Sequence, residues 1–398
     1  MFVSSTHAGH ELVQLSNPAI HSSEQRTNQM KVSFPAMRGT IGQREYYSCM
    51  MKMNVVPKMF TFRDWAEFTP EEREQRVLNQ KRVPSIAKYI TENEDGYLFA
   101  SITASYKCPV TFKPNGDDGL GMLEMDFQEA EFVINDGQHR CAAIAHALKE
   151  NPALGEETIS VLLFPYENRD RMQQMFSDLN RFVQKTSKSL DILYDKRDPL
   201  SRLTLEVISG VDVFEGMVDR DAISISIRSP KLFTLSAIYD SNKELLRDHD
   251  VHGEDEEGEG DSFNEMVALA IRFWRKVATH MPAWRSVRDQ HMRAMELRQE
   301  SLASHSTILR AIGSAGADLM RDFPDDWEQR LEPLETIDWR KANREWEGIC
   351  VVAGSVSSNR QSRQATRAYI KRHLGLPLSD AETRSLTPAK EQVSEAAQ

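Results

Sequence analysis

No stretch of this 398-residue chain stays apolar for the roughly 18 residues that a membrane-spanning helix needs. Met1 to Val32 is polar and lacks an apolar signal-peptide core. Both absences point to a cytoplasmic protein with no membrane partner. Cysteine is scarce. Cys49, Cys108, Cys141 and Cys350 are scattered and form no C-x-x-C pair, which argues against a disulfide framework and a structural zinc site. Cations are also short: 49 Lys and Arg face 60 Asp and Glu, for a net charge of −11. No helix-turn-helix, zinc-finger or ribbon–helix pattern is visible, so no groove-reading element can be named.

The charge deficit is local. Asp248 to Asp261 holds eight acids and no Lys or Arg, and Asp380 to Gln398 holds four acids against Arg384 and Lys390. Without these segments the body is nearly neutral, and a neutral body can carry a basic face. Net charge therefore does not exclude DNA.

Length allows two or three domains. Residues 1–33 read as a disordered leader, rich in Ser, His, Asn and Gln. Thr69-Pro70-Glu71-Glu72 reads as a helix start, with a Thr cap, a first-turn Pro and acids facing the dipole. A second helix begins near Pro84, with Val83, Ile86, Ala87 and Ile90 on one face. Short β-prone runs follow at Tyr97–Thr103, Leu123–Phe127, Glu131–Ile134 and Ile159–Phe164, around a helix from Arg140 to Glu150 whose apolar face is Ala143, Ile144, Ala147 and Leu148. Residues 34–195 thus form a mixed α/β domain. Leu200–Ser209, Pro230–Leu246, Phe263–His280, Leu302–Leu319 and Gln361–Leu374 have helical spacing, so residues 196–378 form a mostly helical domain. It is interrupted by an acidic, disordered loop at 248–261 and followed by a disordered tail at 379–398. The fold class is α+β.

The chemistry concentrates at Phe132-Val133-Ile134-Asn135-Asp136-Gly137-Gln138-His139-Arg140. A strand runs through a tight turn into a helix, whose N-terminus offers backbone N–H groups and partial positive charge to an anion. Gly137 permits close approach, Arg140 offers a planar fork suited to phosphate, and His139 can donate or accept near neutral pH. Asp136 would repel a phosphate unless it caps the helix or binds a cation. Spacing alone leaves a second reading open: Asp136 as N-cap, Gly137 easing the turn, His139 and Arg140 on the surface. Cys141, at the helix start beside Arg140, reads better as a small core residue than as a redox thiol. His139 and His146 lie two turns apart without a third ligand, so no metal site is expected there.

Asp136-Gly137-Gln138-His139-Arg140 is the signature of the DGQHR proteins. Its surroundings resemble the DndB family of DNA sulfur modification proteins: Pro35-Ala36-Met37-Arg38-Gly39, Arg44-Glu45-Tyr46-Tyr47, Gln75-Arg76-Val77-Leu78-Asn79, Arg82 to Ile90, Ile134 to Leu148 and Met175-Phe176-Ser177-Asp178-Leu179-Asn180-Arg181. The likeness covers most of Phe34 to about Leu378. It implies a ParB/sulfiredoxin-like α/β domain followed by a helical one. It also implies a DNA-binding negative regulator of the phosphorothioation genes, with promoter DNA and other DNA sulfur modification proteins as partners. In ParB-like relatives the corresponding turn belongs to a nucleotide-phosphate site, which makes a nucleotide with Mg²⁺ the candidate cofactor. An Asn-containing segment adjoins that site, which brings in Asn180 and Arg181. The resemblance favours a regulator over an enzyme. The runner-up is an ATP or CTP hydrolase with Asp136 near Mg²⁺ and Arg140 on the terminal phosphate; a scaffold for other modification proteins is third. A homo-oligomer fits any of them.

Two further groups carry charge that could meet phosphate. Arg76, Asn79 and Arg82 lie between two helices, where a solvated role is equally open. From Gly348 to Ser379 there is no acid, yet Arg360, Arg363, Arg367, Lys371 and Arg372 occur. Positions 360, 363, 367 and 371 share a helical face, so this stripe is the candidate DNA contact. An intramolecularly paired face is the competing reading.

Overall fold

Alternation of inward and outward side chains builds the first elements. The computed structural model describes residues 31–60, 82–116, 119–126, 130–181, 186–251 and 259–386. The helix start at Thr69, the pair Arg76 and Asn79, acids 254–257 and most of the leader and tail lie outside them. The chain divides into two compact units, Met1–Val183 and Gln184–Gln398.

In the first unit β1 (Lys31–Ile41) buries Phe34 and Ala36, and β2 (Arg44–Lys52) buries Tyr47, Cys49 and Met51. Gly42 and Gln43 join them with φ of 56° and 63°, the doubly positive geometry of a tight hairpin. After them come α1 (Val56–Met59), α2 (Val83–Thr91), β3 (Ile102–Tyr106), β4 (Val110–Pro114), β5 (Leu120–Asp126), β6 (Phe132–Asp136), α3 (Gln138–Glu150), β7 (Thr158–Pro165) and α4 (Arg169–Arg181). The sheet order is β4-β5-β1-β2-β7-β3-β6, and only the β3–β7 pairing is parallel. Cys141, Ala143, Ile144 and Ala147 bury one face of α3 in this unit's core, with Leu148 partly buried beside them.

The strand expected at Tyr97–Thr103 begins only at Ile102. Tyr97 and Phe99 instead pack their rings on Tyr89 of α2, at 6.5 and 6.0 Å, and the backbone through Ala100 joins no ladder. Their carbonyls therefore need other partners.

The second unit is helical: α5 (Lys188–Tyr194), α6 (Pro199–Gly210), α7 (Leu235–Leu245), α8 (Glu259–Thr279), α9 (Pro282–Arg288), α10 (Ala294–Glu300), α11 (Ser306–Asp322), α12 (Arg360–His373) and α13 (Asp380–Leu386). Two short pairings join it, β8 (Val218–Asp219) with β9 (Phe233–Thr234) and β10 (Val351–Val352) with β11 (Ser355–Val356). The helix expected from Pro230 starts at Leu235, because Phe233–Thr234 pairs as strand and the Thr234 hydroxyl caps the helix by accepting from Ala237 N at 3.2 Å. Ile192 of α5 joins the helical core, in which the Phe214 ring lies 5.3, 5.6 and 6.2 Å from those of Phe233, Trp274 and Trp284, and Phe233 lies 5.2 Å from Trp284. Helix α11 is buried on nearly every side and lies close against α7. A Cβ at Gly313 would stand 2.4 Å from Ser241 O, so only glycine allows this approach.

Two segments expected to be disordered are partly ordered. Residues 259–261 open α8, and α13 occupies the start of the acidic tail. Charge explains the second: Glu382 is buried against Lys371, and burial without such a partner would be prohibitive.

Candidate functional site

β6 is an edge strand; the chain leaves it at Asp136 and enters α3 at Gln138. Gly137 makes the bend at φ 106°, and a Cβ there would meet Ile102 Cγ1 at 3.1 Å and its Cα at 3.3 Å. Both backbone conformation and space select glycine. No side chain caps α3, so Asp136 is not the N-cap.

Asp136 pairs with Arg140 instead, Nη2 donating to Oδ2 at 2.5 Å. Arg140 Nη1 also donates to Ser101 O at 2.9 Å and to Ala100 O, and the side chain is only 16% exposed. The phosphate fork expected from the sequence is therefore engaged internally. The cause lies in the unladdered backbone before β3, whose carbonyls a planar guanidinium reaches together. His139 and Gln138 are half-buried. Burial first, then the charge of Arg82, pushes the His139 imidazole below its ordinary range, against Asp136, so it is neutral at pH 7. Cys141 is fully buried and its thiol is pushed up to about 12 by burial, with Asp136 adding and Arg140 opposing. That makes it a core residue with no thiolate at neutral pH.

Asn135, to which the sequence assigns no role, is 2% exposed. Its Nδ2 donates to Ser105 Oγ at 2.8 Å and contacts Met175 Sδ of α4 at 3.1 Å, while Oδ1 is buried without a partner. The signal was strand alternation, which turns Asn135 inward between Ile134 and Asp136. Asn180 and Arg181 close α4 and are exposed; Asn180 Nδ2 donates to Phe176 O of its own helix at 2.8 Å. Among the described residues no group of three His, Cys, Asp or Glu is placed to hold a metal ion.

The cationic stripe lies on α12 of the second unit, and it divides. Asn359 caps the helix by accepting from Ser362 N at 2.8 Å. Arg360, Arg363 and Arg372 are exposed, and no carboxylate among the described residues pairs with them; the Arg372 guanidinium lies 5.5 Å from the Tyr369 ring centre. Lys371 is only 7% exposed and bonds Glu382 at 3.0 and 3.1 Å and Asp318 at 3.2 Å. Arg367 donates to Asp318 Oδ2 at 2.9 Å, with its Nε 3.4 Å from Glu382. Lys371 and Arg367 are therefore corrected from DNA contacts to partners of an internal carboxylate pair. The apolar flank of α12, with Ala365, Tyr369 and Ile370 in the core, rolls positions 367 and 371 toward α11.

Asp318 is the hub that sequence reasoning misses. Its carboxylate meets Arg247, Arg321 at 2.9 Å, Arg367 and Lys371. Burial raises its pKa, but the Arg367 hydrogen bond and the charges of Arg247, Arg367 and Lys371 outweigh that and hold it at about 2. The available signal was an acid set inside the run of Ala, Gly, Ile and Leu that gives this helix its buried face, whereas the helix's other acid, Asp322, ends it and is exposed.

No curated protein and no solved structure matches the chain, so the expected ParB/sulfiredoxin-like likeness has no structural match behind it. The family model described as "DndB: DNA-sulfur modification-associated" matches residues 34–377. With nearly the whole chain matched, corner and cationic helix included, the protein belongs to the DndB family, associated with DNA sulfur modification.

Proposed function

We propose that this protein is a DNA-binding negative regulator of the DNA sulfur modification genes, with promoter DNA as its partner. The observation that carries the reading is the exposed set Arg360, Arg363 and Arg372 on one helix, paired with no carboxylate among the described residues, in a chain segment without acids. Phosphates can approach such a helix, and each contact releases counterions. Gel shifts with promoter fragments across a salt series test it. Binding should weaken steeply with salt, and Arg360→Ala with Arg372→Ala should lower the log–log slope by about 0.9 for each phosphate no longer neutralised. Absence of any shift at low salt removes the reading.

One observation keeps a nucleotide reading in second place: the start of α3 carries no side-chain cap, and its first-turn amides suit a phosphate. Arg140 would serve there as a brace for the corner, and the nucleotide would rest on the backbone.

A further inference from the structure

Beside the exposed stripe lies a cleft of about 790 Å³, open to solvent, formed by residues of the second unit alone. Its walls are the end of α7, one side of α11, the inner side of α12 and the approach to α13. That volume falls within the ordinary range of small-molecule sites.

The cleft is built from cations. Seven line it, one Lys and six Arg, against three carboxylates, Glu244, Asp318 and Glu382. At its base Asp318 and Glu382 are outnumbered by Arg247, Arg321, Arg367 and Lys371. Acids outside the lining compensate in part: Asp248 at 3.2 Å and Asp322 at 2.9 Å from Arg321, and Asp240 at 3.6 Å from Arg310, which also meets Glu244 at 3.1 Å. Arg360 and Arg363 have no carboxylate among the described residues. The walls also contain a buried polar atom without a hydrogen-bond partner, Thr307 Oγ1; Arg367 Nε makes no hydrogen bond either, but it is ion-paired with Glu382 at 3.4 Å.

Five of the seven cations are thus held by carboxylates, and the charge open to an incoming anion is that of Arg360 and Arg363 at the cleft's edge. Guanidinium forks match a tetrahedral oxyanion better than a monovalent halide, because several N–H groups address several oxygens at once. We propose that this cleft is a phosphate-group site, with Arg363 and Arg360 at its mouth and Arg310 on its wall as the binding residues. Asp318 and Glu382 hold Arg367 and Lys371 in place beneath it. A free small molecule and a DNA end or backbone both present this phosphate chemistry, and the experiment tells them apart. The site would take phosphate whether or not the protein regulates genes.

The test uses the full chain with sodium pyrophosphate, sodium phosphate and a short DNA duplex. Titration calorimetry and thermal unfolding are run against sodium chloride at equal ionic strength. Pyrophosphate should bind and raise the melting temperature of the wild type. Arg363→Ala and Arg310→Ala should each weaken it by about tenfold, whereas Arg340→Ala, an equal loss of charge outside the cleft, should not. Arg363 is exposed and has no carboxylate to leave behind, so its variant should fold. Pyrophosphate that displaces the duplex identifies DNA as a source of the phosphate; pyrophosphate that binds without displacing it identifies a small molecule. Both results support the site. Equal responses to pyrophosphate and chloride, or no difference between wild type and Arg363→Ala, overturn it, even if DNA is bound elsewhere. Failure of DNA binding with pyrophosphate binding intact removes the regulatory reading alone.

Discussion

Arg140 stands where three acceptors converge, and its planar fork decides what the corner can do. Ala100 O and Ser101 O belong to backbone that no strand pairs, and Asp136 would otherwise face the start of α3 with its charge unanswered. Charge-assisted bonds of this kind contribute about 1.5–3 kcal/mol each at most, less where solvent reaches them, as it does the half-exposed Asp136. Arg140→Ala should therefore lower stability by about 2–3 kcal/mol, read as a shifted urea midpoint. Arg140→Lys should recover only part of the loss, since an ammonium cannot address all three acceptors in one plane. An unchanged midpoint for Arg140→Ala would show that the guanidinium is free for a ligand after all.

At the level of elements, the packing of α11 on α7 depends on Gly313. Alanine would improve helix propensity by about 1 kcal/mol, but its methyl group would lie 2.4 Å from a backbone oxygen that cannot swing aside. Overpacking costs about 1–3 kcal/mol or more, so Gly313→Ala should destabilise the chain on balance, and chemical denaturation checks it. A more stable variant would mean that the two helices do not approach this closely. Which parts of the fold are legible in the sequence follows from the same physics. Helices with a single apolar face, such as α3, α6 and α12, can be read nearly to their ends, because periodicity records burial. β1 and β4 do not stand out as strands, and the strand before Ile102 is misplaced: strand identity depends on partners distant in sequence. The motif from Asp136 to Arg140 is plain, but Arg140's partners at 100 and 101 are some 40 positions away in the chain, and no local pattern names them. The same holds for Lys371, whose helical face is evident from spacing and whose partner Asp318 comes from another helix.

For the molecule as a whole, the net charge of −11 sets a repulsive background against which any DNA contact must work. A basic face can prevail only because fields from exposed charges are screened beyond about 8–10 Å at physiological salt, so on the proposed reading phosphates brought to α12 would sense its arginines more than distant acids. The run Glu254-Asp255-Glu256-Glu257 contributes four of the negative charges and lies outside the described residues. Its effect through the long-range field can be tested whatever its conformation. Replacing these four acids by Gln and Asn should strengthen promoter binding by about tenfold at low salt. The gain should shrink toward nothing as ionic strength passes the point where the field is screened, while the weakening caused by Arg360→Ala should fall only gradually, following the slope of about 0.9 for each phosphate contact it removes. A gain that survives high salt would instead mean that the acids compete directly for the cations of α12, as a short-range pair would, and the simple background of repulsion would have to be replaced by an internal mimic of DNA.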